Sequence, residues 1–281
     1  MKTAALPMSP LHPMLQVAMV AARAAGTVIR TAAADPGSLQ IRQKHPNDFV
    51  TQVDTASEQV ILRSLLGAYP DHAVRSEESQ QWHGNADADH VWIVDPLDGT
   101  TNFIHSYPAF SVSIALALRG RIEHGVVLDV TRDDLFHASL GAGAWCNDRR
   151  LQVSGRTALN EALVATSCPY RPGPAFDESM RMLGTVMQRV GAIRRSGSAA
   201  LDLAWVATGR IDAMFDRGLN AWDVAAGGLL VSEAGGQVGN FLGQPDFLES
   251  RECVAGNPAL QAELSALLRP FALRRDPANR H

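Results

Sequence analysis

One segment of this 281-residue chain joins an apolar run to two carboxylates and a turn: Trp92-Ile93-Val94-Asp95-Pro96-Leu97-Asp98-Gly99-Thr100-Thr101-Asn102. The apolar residues from Val91 to Val94 predict a short buried strand, and Pro96 ends it because proline has no N–H for the strand ladder. Gly99 permits a tight turn, after which Thr100 begins a helix. Backbone N–H groups at a helix start favour an anion. The segment therefore predicts two hard oxygen ligands next to an anion-binding turn.

The two carboxylates of this segment belong to a wider set of isolated acids. An Asp-x-x-Asp pair on its own most often marks an ordinary acidic turn. Here Asp95 and Asp98 lie beside a predicted buried strand, where an unpaired charge is costly unless a cation or a partner satisfies it. Further acids stand before a helix, after a turn or beside an apolar helix start: Asp54, Glu77, Glu78 and Asp223.

Helical patterns dominate the start of the chain. Apolar residues at spacings of three and four predict a helix over 11–29 that ends near Gly26 or shortly after. Thr55 and Glu58 predict a capping box that opens a second helix and leaves Asp54 just outside its first turn. Strands are expected to follow over 111–118, 125–130 and 134–139. The N-terminal half, about 11–150, is therefore two helices laid against a mostly antiparallel sheet.

The C-terminal half, about 151–270, alternates strands and helices. This order favours a second α/β layer over an independent domain. The chain has no repeat and no linker long enough to separate two domains. We therefore expect a single domain over 1–281, of an α/β fold (α+β layered) with alternating helix and sheet layers.

Charge and hydropathy exclude several classes of protein. The chain has 25 Lys and Arg against 29 Asp and Glu, a formal net charge of -4. No global field therefore attracts nucleic acid or an anionic membrane, so direct nucleic-acid binding is not expected. No run of about 18 apolar residues is present to span a bilayer. A phosphate-binding G-x-x-x-x-G-K-[ST] loop and a G-x-S-x-G nucleophile elbow are also absent.

Cysteine usage and the first residues indicate the compartment. Cys146, Cys168 and Cys253 are spaced neither as a metal knuckle nor as a disulfide framework, which favours a reducing cytosol. Pro7 and Pro10 interrupt the apolar start of the chain, so we do not expect a secretion signal. A cytoplasmic location follows as the expectation.

Several blocks together resemble the inositol monophosphatase family, within the magnesium-dependent, lithium-sensitive phosphatase superfamily. They occur in family order and cover roughly residues 11–270. Two further blocks resemble the bacterial branch, at 12–15 and 195–202. The main blocks are Lys44 with Asn47-Asp48-Phe49-Val50-Thr51-Gln52-Val53-Asp54, Glu77-Glu78-Ser79, Trp92 to Asn102, and Trp222-Asp223-Val224-Ala225-Ala226-Gly227 running on to Glu233-Ala234-Gly235-Gly236.

The resemblance implies a Mg²⁺ site with two or three ions. A first ion would be held by Glu77, Asp95 and the backbone carbonyl of Leu97, and a second by Asp95, Asp98 and Asp223. A third, weaker ion would lie near Glu77, for which Glu78 is the alternative. An all-oxygen donor set without a His pair at ligand spacing also suits Mg²⁺ or Mn²⁺ and not Zn²⁺.

The same resemblance implies hydrolysis of a phosphate monoester by a metal-activated water. Asp54 and Thr100 would hold the attacking water, and backbone N–H groups of Gly99 and Thr100 would grip the phosphate. We expect Asp223 to stay ionised because it lies near a helix start. Lys44 is a further catalytic candidate, because the chain has only two lysines and a compact ammonium differs chemically from a guanidinium. Its alternative is a solvated loop charge.

The substrate contacts follow from the resemblance less directly. Inositol 1-phosphate is the implied substrate, and Asp98 together with Gly197, Ser198 and Ala199 would line its pocket. The family commonly uses a glutamate for the ring hydroxyls where this chain has Asp216, one methylene shorter. Histidinol phosphate, fructose 1,6-bisphosphate and adenosine 3′,5′-bisphosphate therefore stay open as alternative substrates, because the same metal ligands serve all of them.

A second role and an oligomeric state are also implied. The bacterial branch includes a member that acts in transcription antitermination of ribosomal RNA operons, so a transcription machinery partner is the alternative to an enzyme. Three arginine pairs are candidates for facing such a partner: Arg149-Arg150, Arg194-Arg195 and Arg274-Arg275. Because the family is commonly dimeric, we expect a homodimer, and lithium is expected to inhibit the enzyme.

Overall fold

The computed structural model describes residues 11–45, 48–79, 82–167 and 174–273, with the backbone alone for residues 38, 43–45, 48–49 and 174–175. None of the helices in these ranges combines the length and apolar character needed to cross a bilayer. The helices are α1 (Pro13–Ala33), α2 (Gln52–Ala68), α3 (Thr100–Ile104), α4 (Pro174–Met187), α5 (Ala199–Ala207), α6 (Ala221–Glu233), α7 (Phe247–Ser250) and α8 (Pro258–Leu268). The strands are β1 (Ile41–His45), β2 (Asp48–Thr51), β3 (Ala73–Ser76), β4 (Trp82–Gly84), β5 (His90–Asp98), β6 (Ser111–Leu118), β7 (Arg121–Asp129), β8 (Asp134–Ser139), β9 (Gly143–Cys146), β10 (Arg149–Arg150), β11 (Leu163–Ala165), β12 (Ala192–Arg194), β13 (Ala213–Arg217), β14 (Gln237–Gly239) and β15 (Glu252–Gly256).

The strands form one hairpin and two sheets. β1 and β2 pair as the hairpin. The larger sheet has the order β10-β9-β8-β7-β6-β5-β3-β4 and is antiparallel except for the pair of β3 and β5. The smaller sheet has the order β12-β11-β13-β15-β14, with β11 parallel to both of its neighbours. The mostly antiparallel N-terminal sheet is thus confirmed, whereas the short edge strand β12 is not predicted from the sequence.

Helices and sheets alternate as layers. Neighbouring residues of β5 face opposite ways, with Trp92 in the apolar cluster under α1 and α2 and Ile93 in the cluster under α5 and α6. In β13, Met214 faces α5 and α6 while Phe215 joins the cluster covered by α4 and α8. The order is therefore α1/α2, large sheet, α5/α6, small sheet, α4/α8. This confirms the predicted alternation of helix and sheet layers.

The first helix is longer than its sequence pattern indicates. α1 continues past Gly26 to Ala33 and does not end near the glycine. Gly26 is needed for packing, because a Cβ at this position would lie 2.5 Å from Cδ2 of Leu128 in β7. The glycine therefore allows the helix to lie close to the sheet.

The predicted start of the second helix is wrong. α2 begins at Gln52 with Thr51 as its N-cap, so Asp54 lies inside the first turn. Asp54 Oδ2 accepts the Thr51 N–H at 2.8 Å, which completes a capping box one turn earlier than Thr55 and Glu58. The carboxylate of Glu58 instead accepts the N–H of Ser79 at 3.1 Å. The earlier capping box forms because β2 ends at Thr51, which places this residue at the start of the helix.

The strand that leads to the acidic segment also continues further than predicted. β5 runs through Pro96 to Asp98, and its register with β6 shifts between Asp95 and Asp98. This irregularity accommodates a residue without an N–H. The carbonyl of Pro96 accepts a hydrogen bond from Ser57 Oγ at 2.8 Å, which ties the irregular part of the strand to α2.

Candidate metal and phosphate site

Acidic side chains from three elements meet at the ends of β3, β5 and α6. Asp95 and Asp98 lie at the end of β5, and Glu77 directly follows β3, the parallel neighbour of β5. The N–H of Glu77 donates to the carbonyl of Val94 at 3.2 Å, which holds this residue beside the strand end. Asp223 lies in the first turn of α6. The fold therefore brings together acids that are far apart in the sequence.

Asp95 is the most strongly affected member of this acid cluster, which comprises Glu77, Asp95, Asp98 and Asp223. Its carboxylate is buried, with 1% of the residue exposed. Burial raises the pKa of Asp95 well above its usual range, and the charges of Glu77, Asp98 and Asp223 raise it further. Glu78 acts in the same direction but more weakly than Glu77. This order favours Glu77 over Glu78 as the ligand candidate.

Asp98 is held by the start of α5. Its Oδ2 accepts hydrogen bonds from Ser198 Oγ at 2.5 Å and from the Ala200 N–H at 2.9 Å. Burial raises the pKa of Asp98, while these two donors act against the rise. The segment around Ser198 thus contacts an acid of the cluster directly.

Burial acts against the expected ionisation of Asp223. Burial, followed by the charge of Asp98, raises the pKa of Asp223 to about 7. Asp223 Oδ2 accepts the N–H of Asn220 at 2.6 Å, and this bond favours the charged form. The helix start is outweighed because the neighbouring acids repel a second charge in a buried site.

The turn after β5 requires glycine. Gly99 has φ +93°, and a Cβ there would lie 2.9 Å from the carbonyl oxygen of Ala109. α3 begins at Thr100, and its Phe103 N–H donates to the Gly99 carbonyl at 3.0 Å. The N–H groups before Phe103 have no carbonyl one turn earlier within α3. The predicted tight turn and helix start are confirmed.

Asp54 and Thr100 are in direct contact. Thr100 Oγ1 lies 2.9 Å from Asp54 Oδ1 and 3.1 Å from the carbonyl oxygen of Leu97, so its single proton goes to one of two acceptors. Thr51 Oγ1 donates to Asp54 Oδ2 at 2.6 Å. Burial raises the pKa of Asp54, and the hydrogen bonds from Thr51 and Thr100 oppose this rise. The pair predicted to hold a water therefore lies together beside the acid cluster.

The donor set fits a hard divalent cation. The cluster offers carboxylate oxygens, which Mg²⁺ prefers, and its members repel one another in a buried setting where a cation would relieve the repulsion. No three His, Cys, Asp or Glu side chains in the described ranges are arranged closely enough to hold a metal ion as they stand. Oδ2 of Asp98 and Oδ2 of Asp223 each accept hydrogen bonds instead.

Apart from Asp98, the predicted substrate contacts come from the C-terminal half of the chain. Gly197 has φ +87°, and a Cβ there would lie 2.9 Å from Nδ2 of Asn102 in α3. Asp216 in β13 is 2% exposed, and its two oxygens accept the N–H groups of Ser167 and Arg217. Burial raises the pKa of Asp216 to about 7. Gly197 and Ser198 directly precede α5, which begins at Ala199 with Ser198 as its N-cap.

Some of the predicted residues fall outside this description. The backbone of Lys44 lies in β1, but its side chain is outside the described residues. Cys168, Asn47 and the pair Arg274-Arg275 also lie outside them.

Sequence reasoning misses the polar contacts that support the acids, although it names Ser198 as a residue of the substrate pocket. Ser198 and Ser111 both direct a hydroxyl at Asp98, the latter at 3.4 Å. Asn102 Nδ2 donates to the carbonyls of Ala109 and Ser196 at 2.6 and 2.8 Å. No local pattern reveals these contacts, since most of the partners are distant in sequence.

Comparison with known proteins agrees with this geometry. The sequence profile of the inositol monophosphatase family matches residues 10–271. A Pseudomonas aeruginosa protein named Nus factor SuhB is 46% identical over 263 residues, which cover 92% of this chain and 97% of that protein. The crystal structure of the extragenic suppressor protein SuhB from Bartonella henselae has a TM-score of 0.88 at 40% identity, covering 92% of this chain and 99% of that one.

A relative named for the activity is also similar in structure. The inositol monophosphatase from Anabaena has a TM-score of 0.79 at 36% identity and covers 92% of this chain and 95% of that one. Proteins of this family are generally metal-dependent phosphatases. The extent of these matches and the layered fold show that the chain belongs to the inositol monophosphatase family.

Proposed function

We propose that this chain is a Mg²⁺-dependent phosphomonoesterase that hydrolyses inositol 1-phosphate to myo-inositol and phosphate. The observation that carries this proposal is the position of the acid cluster around Asp95 next to the left-handed turn at Gly99. Hydrolysis of a phosphate monoester is extremely slow without a catalyst, so charge must be neutralised at the attacking and leaving oxygens. Acids that collect cations beside an anion-binding turn meet this requirement.

Two or three Mg²⁺ ions, or Mn²⁺ in their place, would be held by the side chains of the acid cluster and by the carbonyl of Leu97. When bound, these ions neutralise phosphate charge and lower the pKa of a water molecule. Leu97 suits this role because its N–H donates to Asp95 Oδ1 at 3.0 Å, which holds the residue beside the acids.

Thr100 and Asp54 would orient the attacking water. When Thr100 Oγ1 donates to Asp54 Oδ1, the lone pairs of the hydroxyl stay available to accept a hydrogen bond from water. Asp54 would then take up the proton that passes through the hydroxyl. The raised pKa of this buried carboxyl makes it a stronger base than an exposed aspartate.

The turn after β5 would bind the phosphate. The backbone N–H groups of Gly99 and Thr100 lie at the start of α3 and are not used by hydrogen bonds of that helix. Such groups bind phosphate oxygens without adding a charged side chain. The close approach of Ala109 and Gly197 to Gly99 fixes the turn.

A polyol phosphate is the substrate class favoured here, and the support comes from relatives. The similar Anabaena protein is named an inositol monophosphatase. Gly197, Ser198 and Ala199 would line the polyol side, with Asp98 and Asp216 meeting hydroxyl groups. Residues 168–173, which lie next to Ser167, are outside the described ranges.

Phosphate release from a panel of esters tests the proposal. The panel contains inositol 1-phosphate, histidinol phosphate, fructose 1,6-bisphosphate and adenosine 3′,5′-bisphosphate. We expect the highest kcat/KM for inositol 1-phosphate, with activity that needs Mg²⁺ and decreases with Li⁺. Asp95→Asn should lose at least about 100-fold in kcat. Asp133→Asn, at an exposed carboxylate paired with Arg23 and Arg30, is the control. Full activity in excess EDTA would reject the metal-dependent mechanism.

A second role as a transcription partner is favoured by one surface feature. A hollow of about 340 Å³ is lined by arginines from separate segments, together with Tyr107 and Trp205. Arg132 forms an ion pair with Asp129, and Arg210 with Asp134. With Arg194 and Arg195 the hollow is lined by four arginines and, among the described residues, by no acid, which suits an acidic protein surface.

This role is proposed because a relative at 46% identity is named a Nus factor. Affinity capture with the full chain as bait is expected to retain transcription proteins from a cell extract. Arg194→Glu should abolish the capture, whereas Arg63→Glu, at an exposed arginine of α2, should not. Recovery of no polymerase subunit or transcription factor with the unaltered bait would count against this role.

A further inference from the structure

A buried acid that the proposed mechanism does not use lies directly behind the site. Asp202 is in the first turn of α5 and is fully buried. Its Oδ1 accepts a hydrogen bond from Ser196 Oγ at 2.7 Å. Its Oδ2 has no hydrogen-bond partner among the described residues. A carboxyl group with one oxygen unsatisfied is a costly residue to keep in a core.

The surroundings of Asp202 favour its neutral form. Burial raises the pKa of Asp202 well above its usual range, and the nearby Asp98 and Asp216 raise it further, while Arg195 opposes them. A neutral carboxyl still accepts the hydrogen bond from Ser196. The link between the two residues therefore does not depend on a buried negative charge.

Ser196 connects Asp202 to the phosphate-binding side of the site. The carbonyl of Ser196 accepts a hydrogen bond from Asn102 Nδ2 at 2.8 Å, so the residue is held from both ends. The side-chain amide of Asn102 packs against Gly197, and its Nδ2 lies 2.9 Å from the point where a Cβ on Gly197 would be. The carbonyl oxygen of Gly197 in turn lies 3.3 Å from the point where a Cβ on Gly99 would be. The segment Ser196–Ser198 is thus fixed against the turn that would hold phosphate.

The same segment reaches the acid cluster. Ser198 Oγ donates to Asp98 Oδ2 at 2.5 Å, and the Ser198 N–H donates to Ser196 Oγ at 3.3 Å. Two hydrogen bonds therefore link Ser196 to Asp98 by way of Ser198. A change in the position of Ser196 would move the donor that holds this acid.

We propose that Asp202 is a positioning residue. Through its hydrogen bond with Ser196 it fixes the segment Ser196–Ser198. This segment in turn orients Asp98 and holds the turn at Gly99 in place. This inference rests on the proposed metal-dependent function. Asp202 does not contact the reacting atoms in this scheme. Its effect is on metal affinity and on turnover through the orientation of Asp98.

A purely structural role predicts a different outcome. If Asp202 only filled space, an uncharged residue of the same shape would be neutral or stabilising, because it removes an unsatisfied acid. Replacing the acid would then change the melting temperature but not the affinity for metal. The two roles separate in a measurement of metal binding without substrate.

The experiment compares Asp202→Ala, Asp202→Asn and Ser196→Ala with the wild-type chain. Mn²⁺ binding is measured by isothermal titration calorimetry without substrate, and kcat is measured against Mg²⁺ concentration. Asp202→Ala is expected to weaken Mn²⁺ binding about tenfold and to lower kcat by a similar factor, the usual effect of losing one buried hydrogen bond. Asp202→Asn should stay within about threefold of wild type, since the amide oxygen of asparagine still accepts from Ser196.

Ser196→Ala breaks the same link from its other end. It is expected to reproduce the effect of Asp202→Ala, and the double variant should be no weaker than either single variant, because the two residues act as one unit. Ser196 is less buried than Asp202, so this variant carries the test if Asp202→Ala fails to fold.

The control is another buried acid that holds a chain segment away from the site. Asp212 is 3% exposed and accepts the Leu163 N–H at 2.8 Å. Asp212→Ala should lower the melting temperature without changing Mn²⁺ affinity.

Mn²⁺ affinity unchanged in both Asp202→Ala and Ser196→Ala would overturn the proposal, as would additive losses in the double variant. A wild-type chain that neither binds Mn²⁺ nor releases phosphate would instead contradict the proposed function itself.

Discussion

The Thr100 hydroxyl lies 2.9 Å from Asp54 Oδ1, which joins the first turn of α3 to the first turn of α2. Thr51 occupies the other oxygen of the same carboxylate with its N–H and its hydroxyl, at 2.8 and 2.6 Å. The capping box that starts α2 therefore also orients the acid towards Thr100. The hydrogen bonds that cap α2 thus also fix Asp54, one member of the candidate proton-transfer pair.

Thr100→Val should separate the role of this hydroxyl from its shape. Valine has nearly the same volume but cannot hold a water or pass a proton to Asp54. We expect kcat for phosphate release to fall by about 100-fold, within the usual range for loss of acid–base assistance. Thr101→Val, at the exposed neighbour in the same helix turn, is the matched control and should keep its kcat. A Thr100→Val enzyme as fast as wild type would remove Thr100 from the reaction.

Gly99→Ala should damage both the turn and the binding of phosphate. Its φ of +93° strains any L-residue, and the new Cβ would lie 2.9 Å from the Ala109 carbonyl oxygen. We expect the free energy of unfolding to fall by about 2–4 kcal/mol, measured by urea denaturation.

Gly120→Ala provides the comparison for this substitution. Gly120 has φ +81°, with nothing within 4 Å of its Cβ position, so alanine there introduces the strain without the clash. A loss of about 1–2 kcal/mol is expected. Equal losses in the two variants would show that the contact with Ala109 relaxes at no cost.

The strand, turn and helix around Gly99 follow from the sequence because each depends on neighbouring residues. The apolar run, the glycine and Thr100 are enough to predict them. Periodicity also reveals the layered fold, since alternating strand and helix patterns have few ways to bury their apolar faces. The exact start of α2 does not follow, because Thr51 with Asp54 and Thr55 with Glu58 are both acceptable caps. Only the end of β2 at Thr51 selects the first.

The support of the acids is hidden from the sequence for a different reason. Ser198 contacts Asp98 across a hundred positions of chain, and no periodicity links such a pair. The pKa of Asp223 is likewise raised by burial and by Asp98, against the effect of the helix start. Charge in a buried cluster depends on every member, so it requires the assembled fold.

Mg²⁺ should stabilise the wild-type chain through the acid cluster. An ion bound only by the folded state at a hundredfold excess over its dissociation constant adds about 2.7 kcal/mol. We therefore expect Mg²⁺ to raise the melting temperature of wild type, as measured by differential scanning fluorimetry. Asp95→Asn should show little rise, and without metal it should melt higher than wild type because one source of repulsion is gone. An equal Mg²⁺ effect in both proteins would place the ion elsewhere.

His124 should make the fold sensitive to mild acid. The residue is 8% exposed, stacks on His12 with ring centroids 4.6 Å apart, and hydrogen-bonds Ser139 Oγ through Nδ1 at 2.8 Å. Burial, followed by the charge of His12, lowers the pKa of His124 to about 4. The unfolded chain, with an ordinary histidine pKa near 6.5, therefore binds more protons than the folded chain between these two values.

The sign of the pH effect follows from this difference. The contribution of a neutral His124 to stability is complete above about pH 6.5 and is lost as the pH falls towards 4. Taken alone, this loss lowers the melting temperature by roughly 3–6 °C between pH 7 and pH 5, while Asp216 and Asp223, whose pKa values are raised to about 7, act in the opposite direction. His124→Gln keeps a polar partner for Ser139 but does not titrate, so its change in melting temperature from pH 7 to pH 5 should be roughly 3–6 °C more favourable than that of wild type. The pH dependence that remains in this variant comes from His72 and His137, whose pKa values burial lowers, and from buried acids such as Asp216 and Asp223, whose pKa values burial raises. His105→Gln, at an exposed histidine, should retain the wild-type slope, and an unchanged slope in His124→Gln would show that the folded and unfolded chains protonate His124 alike.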